Sequence, residues 1–382
     1  MILSGCSIEN GEKEKLEAGP PNIPEKVVGR LEKLLAYQPD STAFPRSMEL
    51  SGETRGVPSK DWTSGFYVGS LLYSYQLTAD KRFLDHAEKW LPYLEKEKEN
   101  ARTHDMGFKI NCSYGNALQI TKKDQYQKVL IKSAETLSTR YNTQVGCVKS
   151  WDFGKDKWDF PVIIDNMMNL ELLFRASQLS GDSVYHKIAV SHADKTIENH
   201  FRPDHSSFHV IDYDHETGEV IKKLTHQGYG RESSWARGQA WGLYGFTMTY
   251  RFSGKIQHLD QARKIADFLL THPGMPEDMI PYWDFDAPGI PDEPKDVSAA
   301  TVMASAFIEL YTFTDDDSYL RSANRILESL YSEQYMLNHS EKAPFILSKS
   351  TGNWPKSDEI SVPISYADYY YLEALYRKNQ LN

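Results

Sequence analysis

The sequence predicts an all-α fold in which helical hairpins repeat along the chain to form a solenoid or a closed ring. From Val27 onward apolar residues recur with the helical period, and strand-like alternation is confined to short stretches. Pairs of predicted helices recur at intervals of roughly 45 to 75 residues, which is longer and less regular than a TPR or ankyrin array.

Each predicted pair joins a first helix rich in glycine and aromatic residues to a second helix that carries most of the charge. The pairs are Trp62–Leu77 with Phe83–Leu94, Asn166–Leu179 with Tyr185–His200, Trp235–Phe252 with Leu259–Leu270, Ala299–Phe313 with Tyr319–Tyr331, and a weaker copy over Tyr114–Tyr141. Because charged side chains stay in water, we expect the first helices to pack inside and the second helices to lie outside.

Three long polar insertions precede predicted inner helices, at residues 142–162, 201–234 and 272–297. Within the second, Phe208–Tyr213 and Val220–Lys223 alternate as strands around a turn, so a short β-hairpin is expected there. Loops that gather at one rim of a helical ring would build a binding site.

The chain is interpreted as a polar tail, residues 1–24, followed by one domain, residues 25–382. The tail contains Leu-Ser-Gly-Cys ending at Cys6, which resembles the end of a bacterial lipoprotein signal, although the apolar core of a signal peptide is missing. The expectation is a periplasmic location or a lipid anchor at Cys6, with a cytoplasmic location as the alternative. No run of about 18 apolar residues exists, so no transmembrane span is expected.

Composition excludes several classes of function. The 382 residues carry a formal net charge of -10, and no basic stripe suited to nucleic acid appears. Three cysteines without CxxC spacing give neither a disulfide framework nor a zinc site, and the histidines match no HExxH signature. We therefore expect no metal and no cofactor.

The segment Ser233–Gly245 combines features that a purely structural helix would keep apart. Arg237 lies between Trp235 and Trp241, with three glycines close by. Glycine costs about 1 kcal/mol inside a helix, so these glycines indicate that a ligand or another helix approaches closely. The segment is interpreted as a helix whose first turn faces a ligand, and the alternative is a buried helix contact with one snorkelling arginine.

Two carboxylates are candidates for chemistry. Asp165 lies at the start of an apolar helix, where it is a helix N-cap, a proton donor whose pKa is raised by apolar neighbours, or both, since the two roles are compatible. Asp105, beside His104, lies in a loop before a predicted helical pair, and capping or ion pairing would explain it equally well.

A polar and cationic set falls on the insertions and at the start of the last helix. It comprises His209, His226, Gln227, Arg231 and Arg237, with Tyr366 as a candidate that could equally belong to an aromatic core stripe. Loop histidines of this kind are often only solvated, so the set alone does not define a site.

Four ordered motifs together resemble the unsaturated glucuronyl hydrolases of glycoside hydrolase family 88. They are His104–Phe108, Asp165–Asn169, His226–Tyr229 and Ser234–Trp241, within a similarity that runs from about Lys60 to the C-terminus. The related unsaturated rhamnogalacturonyl hydrolases share the fold and the Asp pair but differ after the Trp-Ala-Arg-Gly tract.

The resemblance implies an (α/α)6 barrel, with Asp165 as general acid/base and Asp105 as its partner. It also implies a substrate site made of Trp62, His104, His209, His226, Gln227, Arg237, Trp241 and Tyr366, in which Trp62 and Trp241 stack on the sugar. Arg231 departs from the family pattern, and its charge would either favour a sulfated neighbouring sugar or be neutralised by Glu232.

The activity that the resemblance implies is removal of a 4,5-unsaturated uronic acid from the non-reducing end of lyase products by hydration of a vinyl ether. An unsaturated rhamnogalacturonyl hydrolase stays open as an alternative, and so do three other classes of protein. A conventional inverting glycosidase would use the same two carboxylates, a sugar 2-epimerase would use histidine bases on the same ring, and a helical-repeat interaction module would show no deep acidic pocket.

Overall fold

Six helices form a closed inner ring in the computed structural model, which describes residues 23–49 and 51–381. They are α2 (Ser64–Thr78), a π-helix (Gly107–Gly115) continued by α4 (Asn116–Thr121), α6 (Asn166–Ser180), α8 (Ala236–Ser253), α10 (Val297–Thr314) and α12 (Ser365–Asn379). Each contacts the next, and α12 contacts α2, so the ring closes. The prediction of an (α/α)6 barrel is confirmed.

Outer helices cover this ring. They are α1 (Glu25–Ala36), α3 (Lys81–Leu94), α5 (Asp124–Ser138), α7 (Ser183–Asn199), α9 (Ile256–Thr271) and α11 (Asp317–Leu330). The four strong predicted pairs are confirmed. The weaker copy was placed too late, because its inner helix begins with the π-helix, whose wider turn breaks the 3.6-residue pattern.

Glycine allows the inner helices to approach each other. A Cβ added to Gly245 of α8 would lie 2.4 Å from the Cβ of Met167 on α6, and one added to Gly65 of α2 would lie 2.2 Å from the Phe108 carbonyl oxygen. A helix contact therefore explains Gly245, whereas a Cβ on Gly238 would lie 2.9 Å from the ring of Trp235 and one on Gly242 would lie 3.3 Å from Ile265 of α9.

Three small sheets lie in the connections. They are β1 (Phe44–Met48) with β2 (Thr54–Val57), β3 (Tyr141–Asn142) with β4 (Cys147–Val148), and the three-stranded sheet β5 (Phe160–Ile163), β6 (Val210–Tyr213) and β7 (Val220–Leu224). The predicted hairpin corresponds to β6 and β7, whereas β5 was missed because its strand ends a stretch interpreted as a polar insertion. Antiparallel pairing of Ile163 with Val210 brings the residue after β5 close to the residue before β6.

The predictions for the N-terminal tail, the cysteines and a membrane span have different outcomes. The tail up to residue 22, with Cys6, lies outside the described residues, so lipidation stays a prediction. Cys112 and Cys147 are free and buried. Among the described helices, only α10 has the length and hydropathy of a membrane span, and 78% of it is buried in the protein. Packing within the ring accounts for its apolar character.

Replacing Gly245 by alanine should destabilise the barrel, because the new methyl group would force α8 and α6 apart. We expect a loss of about 1–3 kcal/mol in the free energy of unfolding, measured by urea denaturation. Gly230→Ala is the matched control, since nothing lies within 4 Å of a Cβ there. Equal stability of the two variants would contradict the close packing.

Candidate active site

A cavity of about 350 Å³ opens at the rim where the inner helices begin. Trp62 precedes α2, Asp105 precedes the π-helix, Asp165 precedes α6 and Arg237 lies in the first turn of α8. Its walls are Arg46, Arg55, Trp62, His104, Asp105, Phe108, Trp151, Phe153, Ile163, Asp165, His226, Gln227, Arg237, Gly352, Asn353, Lys356 and Asp358. Both predicted carboxylates thus lie in one cavity, at helix N-termini that favour negative charge.

Asp165 occupies the N-cap position of α6, but its side chain caps no backbone N–H. Its Oδ2 atom is buried and has no hydrogen-bond partner among the described residues. Burial raises the pKa of Asp165 from its ordinary value of 3.8 to about 7; the positive charge of Arg237 opposes this rise and the negative charge of Asp105 adds to it. The carboxyl group is therefore partly protonated near neutral pH, as a proton donor requires.

Asp105 is held at the edge of the cavity by its neighbours. Its Oδ2 accepts a hydrogen bond of 2.6 Å from the Thr103 hydroxyl, and its Oδ1 lies 3.1 Å from Nε2 of His104. His104 is buried, and its Nδ1 bonds the Ser150 carbonyl oxygen at 2.6 Å. Burial lowers the pKa of His104, although the charge of Asp105 opposes that effect.

His209 reaches Asp165 through the three-stranded sheet. The amide of Ile164 donates to the carbonyl of His209, which continues the pairing of β5 with β6. As a result Nε2 of His209 lies 3.6 Å from Oδ2 of Asp165. The imidazole is buried behind the cavity wall, and burial lowers its pKa well below the ordinary value.

Arg237 lines the cavity but is largely engaged by the protein. Its guanidinium group donates to Oδ2 of Asp296 and to the Thr351 carbonyl, both at 2.7 Å, and to the Gly352 carbonyl at 2.5 Å. Asp296 is the N-cap of α10, so this buried ion pair joins α8, α10 and the loop at residues 351–352. The first turn of α8 faces the cavity as predicted, and its arginine also has a structural role.

The three predicted aromatic residues lie at different depths. Trp62 is half-buried and forms part of the cavity wall, whereas Trp241 and Tyr366 are fully buried beneath it. Trp241 packs against Phe108 at a ring separation of 5.3 Å, and Tyr366 packs against Trp62 at 5.0 Å. Stacking on the sugar therefore stays a prediction. Of the three aromatic residues only Trp62 is exposed enough to stack on a sugar, whereas Trp241 and Tyr366 pack beneath the cavity wall.

His226 and Gln227 follow β7 and line the cavity, as the resemblance implied. The His226 ring lies 5.4 Å from that of Trp151, an aromatic wall residue that sequence reasoning did not select. The Gln227 amide nitrogen donates to the Gly352 carbonyl at 3.1 Å. Burial lowers the pKa of His226, which favours a neutral ring.

Several cations of the wall were also missed. Arg46 and Arg55 come from the β1–β2 hairpin; Arg46 binds Glu359 and Asp61, and Arg55 binds Asp358. Lys356 lines the cavity and forms no ion pair among the described residues. Neither strand of this hairpin alternates cleanly between apolar and polar residues, and nothing local in the sequence marks Lys356.

Arg231, in contrast, is not among the wall residues and lies 3.3 Å from Glu232. Its charge is therefore balanced by its neighbour, which was the second of the two readings of this departure.

Unsatisfied polar atoms gather around this cavity. They are Nε2 of His104, Nε1 of Trp151, Oδ2 of Asp165, Nε2 of His209, Nε1 of Trp241, Oδ1 of Asn353 and the hydroxyl of Tyr366. Buried polar groups without partners are costly, so their concentration in one place indicates a site that water or a polar ligand completes.

A second cavity, of about 530 Å³, opens at the opposite end of the inner helices. Three of its charged residues are paired with one another, because Glu171 binds both Arg175 and Arg251. Within the described residues no group of three or more His, Cys, Asp and Glu side chains is arranged to hold a metal ion. The rim cavity is the better candidate for chemistry.

Fold and site together define a carbohydrate-active barrel enzyme with a buried acid, and comparison with known proteins identifies its family. Residues 42–273 match the model of Glycosyl Hydrolase Family 88. The chain is 51% identical to an unsaturated glucuronyl hydrolase of Formosa agariphila, over 98% of this chain and 94% of the relative.

Solved structures agree. A crystal structure of an unsaturated glucuronyl hydrolase specific for heparin superposes with a TM-score of 0.90 at 43% identity, covering 93% of this chain and 95% of the other. A mutant of the Streptococcus agalactiae enzyme in complex with dGlcA-GalNAc6S superposes at 0.78 and 30% identity, covering 93% and 90%. The chain belongs to glycosyl hydrolase family 88, and it is an enzyme of the unsaturated glucuronyl hydrolase class.

Asp165→Asn should stabilise the folded protein above about pH 4. Because burial raises the pKa of the folded carboxyl group from 3.8 to about 7, the folded state binds more protons than the unfolded state in this window, and stability falls as pH rises. The variant removes this loss, so its melting temperature should exceed that of the wild type by about 2–4 °C or more at pH 8.

The wild type and the variant should have nearly the same melting temperature at pH 3.5, where the Asp165 carboxyl group is mostly protonated in the folded and in the unfolded protein. Asp260→Asn on the exposed face of α9 is the control and should change neither value. A lower melting temperature of Asp165→Asn than of the wild type at pH 8 would contradict the conclusion that burial disfavours the ionised form of Asp165.

Proposed function

We propose that this enzyme removes the 4,5-unsaturated uronic acid from the non-reducing end of glycosaminoglycan-type oligosaccharides left by polysaccharide lyases. The observation that carries the proposal is Asp165, a buried carboxyl group with a pKa near 7 in the cavity that also contains Asp105. A neutral acid facing a cavity can protonate a carbon–carbon double bond, whereas an ordinary exposed aspartate at neutral pH cannot.

In the proposed reaction Asp165 gives its proton to C4 of the vinyl ether, and C5 becomes an oxocarbenium-like cation. The carboxylate of Asp105 stabilises that positive charge. Water adds to C5 and returns one proton to Asp165, so the acid is restored. The hemiketal ring then opens. The bond between the anomeric carbon and the remaining sugar breaks, and the other product is an open-chain keto acid.

Charge in the cavity supports an anionic substrate. Lys356 is the wall cation without an ion pair among the described residues, and the N-termini of the inner helices add partial positive charge. The similar proteins act on such molecules: two are named for heparin and for unsaturated chondroitin disaccharide, and one was crystallised with dGlcA-GalNAc6S. We extend this substrate class, a uronate next to an amino sugar, to the present enzyme.

Asp165→Asn should abolish consumption of the double bond while the protein stays folded. We expect kcat to fall by about 10²- to 10⁴-fold, the usual contribution of general acid–base catalysis. The measurement is loss of the ultraviolet absorbance of the conjugated double bond in a panel of unsaturated chondroitin, hyaluronan and heparin disaccharides, with Asp260→Asn as control.

Activity retained by Asp165→Asn would refute the assignment of the acid. Turnover of saturated disaccharides by the wild type, without loss of the double bond of the unsaturated ones, would instead favour a conventional inverting glycosidase.

Lys356→Ala should weaken substrate binding more than it slows chemistry. We expect KM to rise about 5- to 10-fold at low salt, since one charge-assisted contact contributes about 1–1.5 kcal/mol, and the difference should shrink as salt screens the charge. Lys264→Ala, on the exposed face of α9, is the control. An unchanged KM for every disaccharide in the panel would exclude Lys356 from binding.

A further inference from the structure

Backbone groups fix the proton positions of two buried imidazoles at the cavity. Nδ1 of His209 faces the backbone N–H groups of His226 and Gln227, at 3.1 and 3.0 Å. Both groups can only donate, so Nδ1 must offer its lone pair to them. A neutral His209 therefore carries its proton on Nε2.

His104 has the opposite arrangement. Its Nδ1 faces the carbonyl oxygen of Ser150 at 2.6 Å, and a carbonyl can only accept. A neutral His104 therefore carries its proton on Nδ1, and its Nε2, which lies 3.1 Å from Oδ1 of Asp105, then has no proton to donate to that carboxylate. The neutral forms of the two rings thus differ at Nδ1, which is protonated in His104 and bare in His209.

Both rings are expected to be neutral near pH 7. Burial lowers the pKa of His209, and the charges of His226, Arg237, His200 and His104 add to this effect. Burial also lowers the pKa of His104, where Arg140 and Lys109 add to the effect and Asp105 opposes it. Arg140 is itself bound to Asp152, and Lys109 to Glu97.

The Nε2 atom of His209 lies near one particular oxygen of the acid. It is 3.6 Å from Oδ2 of Asp165, slightly beyond hydrogen-bond distance, and neither atom has a hydrogen-bond partner among the described residues. Oδ2 is the buried oxygen, which leaves Oδ1 as the oxygen that faces the cavity. Hydrogen bonds of catalytic groups are often long in the free enzyme and shorten when substrate binds.

We propose that His209 is a positioning residue, fixed as an Nε2–H donor by the backbone of residues 226 and 227, which binds Oδ2 of Asp165 and leaves the transferable proton on Oδ1. This inference rests on the proposed function for its catalytic meaning. His209 never gives up its own proton; it orients the acid and stabilises the carboxylate that remains after transfer. The other charged groups that face Asp165 are Arg237 and Asp105.

Two substitutions separate the donor side of His209 from its backbone side. His209→Asn keeps an oxygen near the position of Nδ1, which can still accept from the backbone, but removes the donor to Asp165. His209→Gln keeps an N–H near the position of Nε2 and gives up the backbone contacts. The two variants have side chains of similar polarity. Comparing them therefore separates the effect of the donor to Asp165 from the effect of the backbone contacts.

We expect kcat of His209→Asn to fall about 100-fold, the loss that misplacing a reacting group by about 1 Å can cause, with little change in KM. His209→Gln should stay within about tenfold of the wild type. In His209→Asn the alkaline limb of the kcat/KM profile should also move to higher pH, since a donor to a carboxylate lowers its pKa, and His209→Gln should restore it. A merely structural role predicts the reverse ranking with an unmoved limb, and that result would overturn the proposal.

Nitrogen NMR of the protein with ¹⁵N-labelled histidine tests the tautomers without any turnover. At pH 7 the His209 signals should show a protonated Nε2 and a bare Nδ1, and the His104 signals should show a protonated Nδ1, with the His209 ring titrating only well below the ordinary pKa of histidine. The His209 signals are identified as those that shift in Asp165→Asn. A proton on Nδ1 of His209, or titration of its ring near the ordinary pKa of histidine, would contradict the assignment of its proton to Nε2. An enzyme with these tautomers that does not consume the double bond would refute the proposed function instead.

Discussion

The burial of one carboxyl group, that of Asp165, is the constraint on which the rest of the site depends. Removal from water keeps this side chain protonated near neutral pH even though the guanidinium of Arg237 lies close enough to lower its pKa. The opposing charge is tolerated because Arg237 is itself bound to the buried Asp296 and to two carbonyl groups, so only part of its field acts on the acid. The acid is thus poised between a charged and a neutral state, which suits a group that must both give and regain a proton.

The architecture makes such a site possible by bringing the N-termini of the inner helices to one rim. Six helices in a closed ring place their first turns, and the connections before them, around a single opening. Glycines let these helices pack at short distance. Partial positive charge at the helix N-termini, together with Lys356, attracts an anion to a protein whose formal net charge is -10. The cavity can therefore attract an anion although the protein as a whole has a negative formal net charge.

The insertions complete what the ring alone could not supply. The sheet formed by β5, β6 and β7 ties the strand before Asp165 to the strand after His209, so the acid and its neighbouring imidazole are positioned by one antiparallel register. The same sheet ends at His226 and Gln227, whose backbone N–H groups bind the His209 ring. A loop that appears only polar in sequence thus carries both wall residues and the means of orienting them.

The sequence by itself determined the helical hairpins and the inner and outer assignment, because amphipathic period, glycine and charge are local properties of the chain, and its motifs indicated seven residues of the cavity wall. The seven residues that the motifs predict and that line the cavity are Trp62, His104, Asp105, Asp165, His226, Gln227 and Arg237. Only the tertiary structure decided the depth of Trp241 and Tyr366, the pairing of Arg237 with Asp296, and the contributions of Arg46, Arg55, Trp151 and Lys356. Those features depend on contacts between residues far apart in the chain, such as Arg46 with Glu359, and no local pattern encodes them. For the same reason sequence alone could not show that His104 and His209 hold their protons on opposite nitrogens, since each proton is placed by a backbone group that the folded chain brings to the ring.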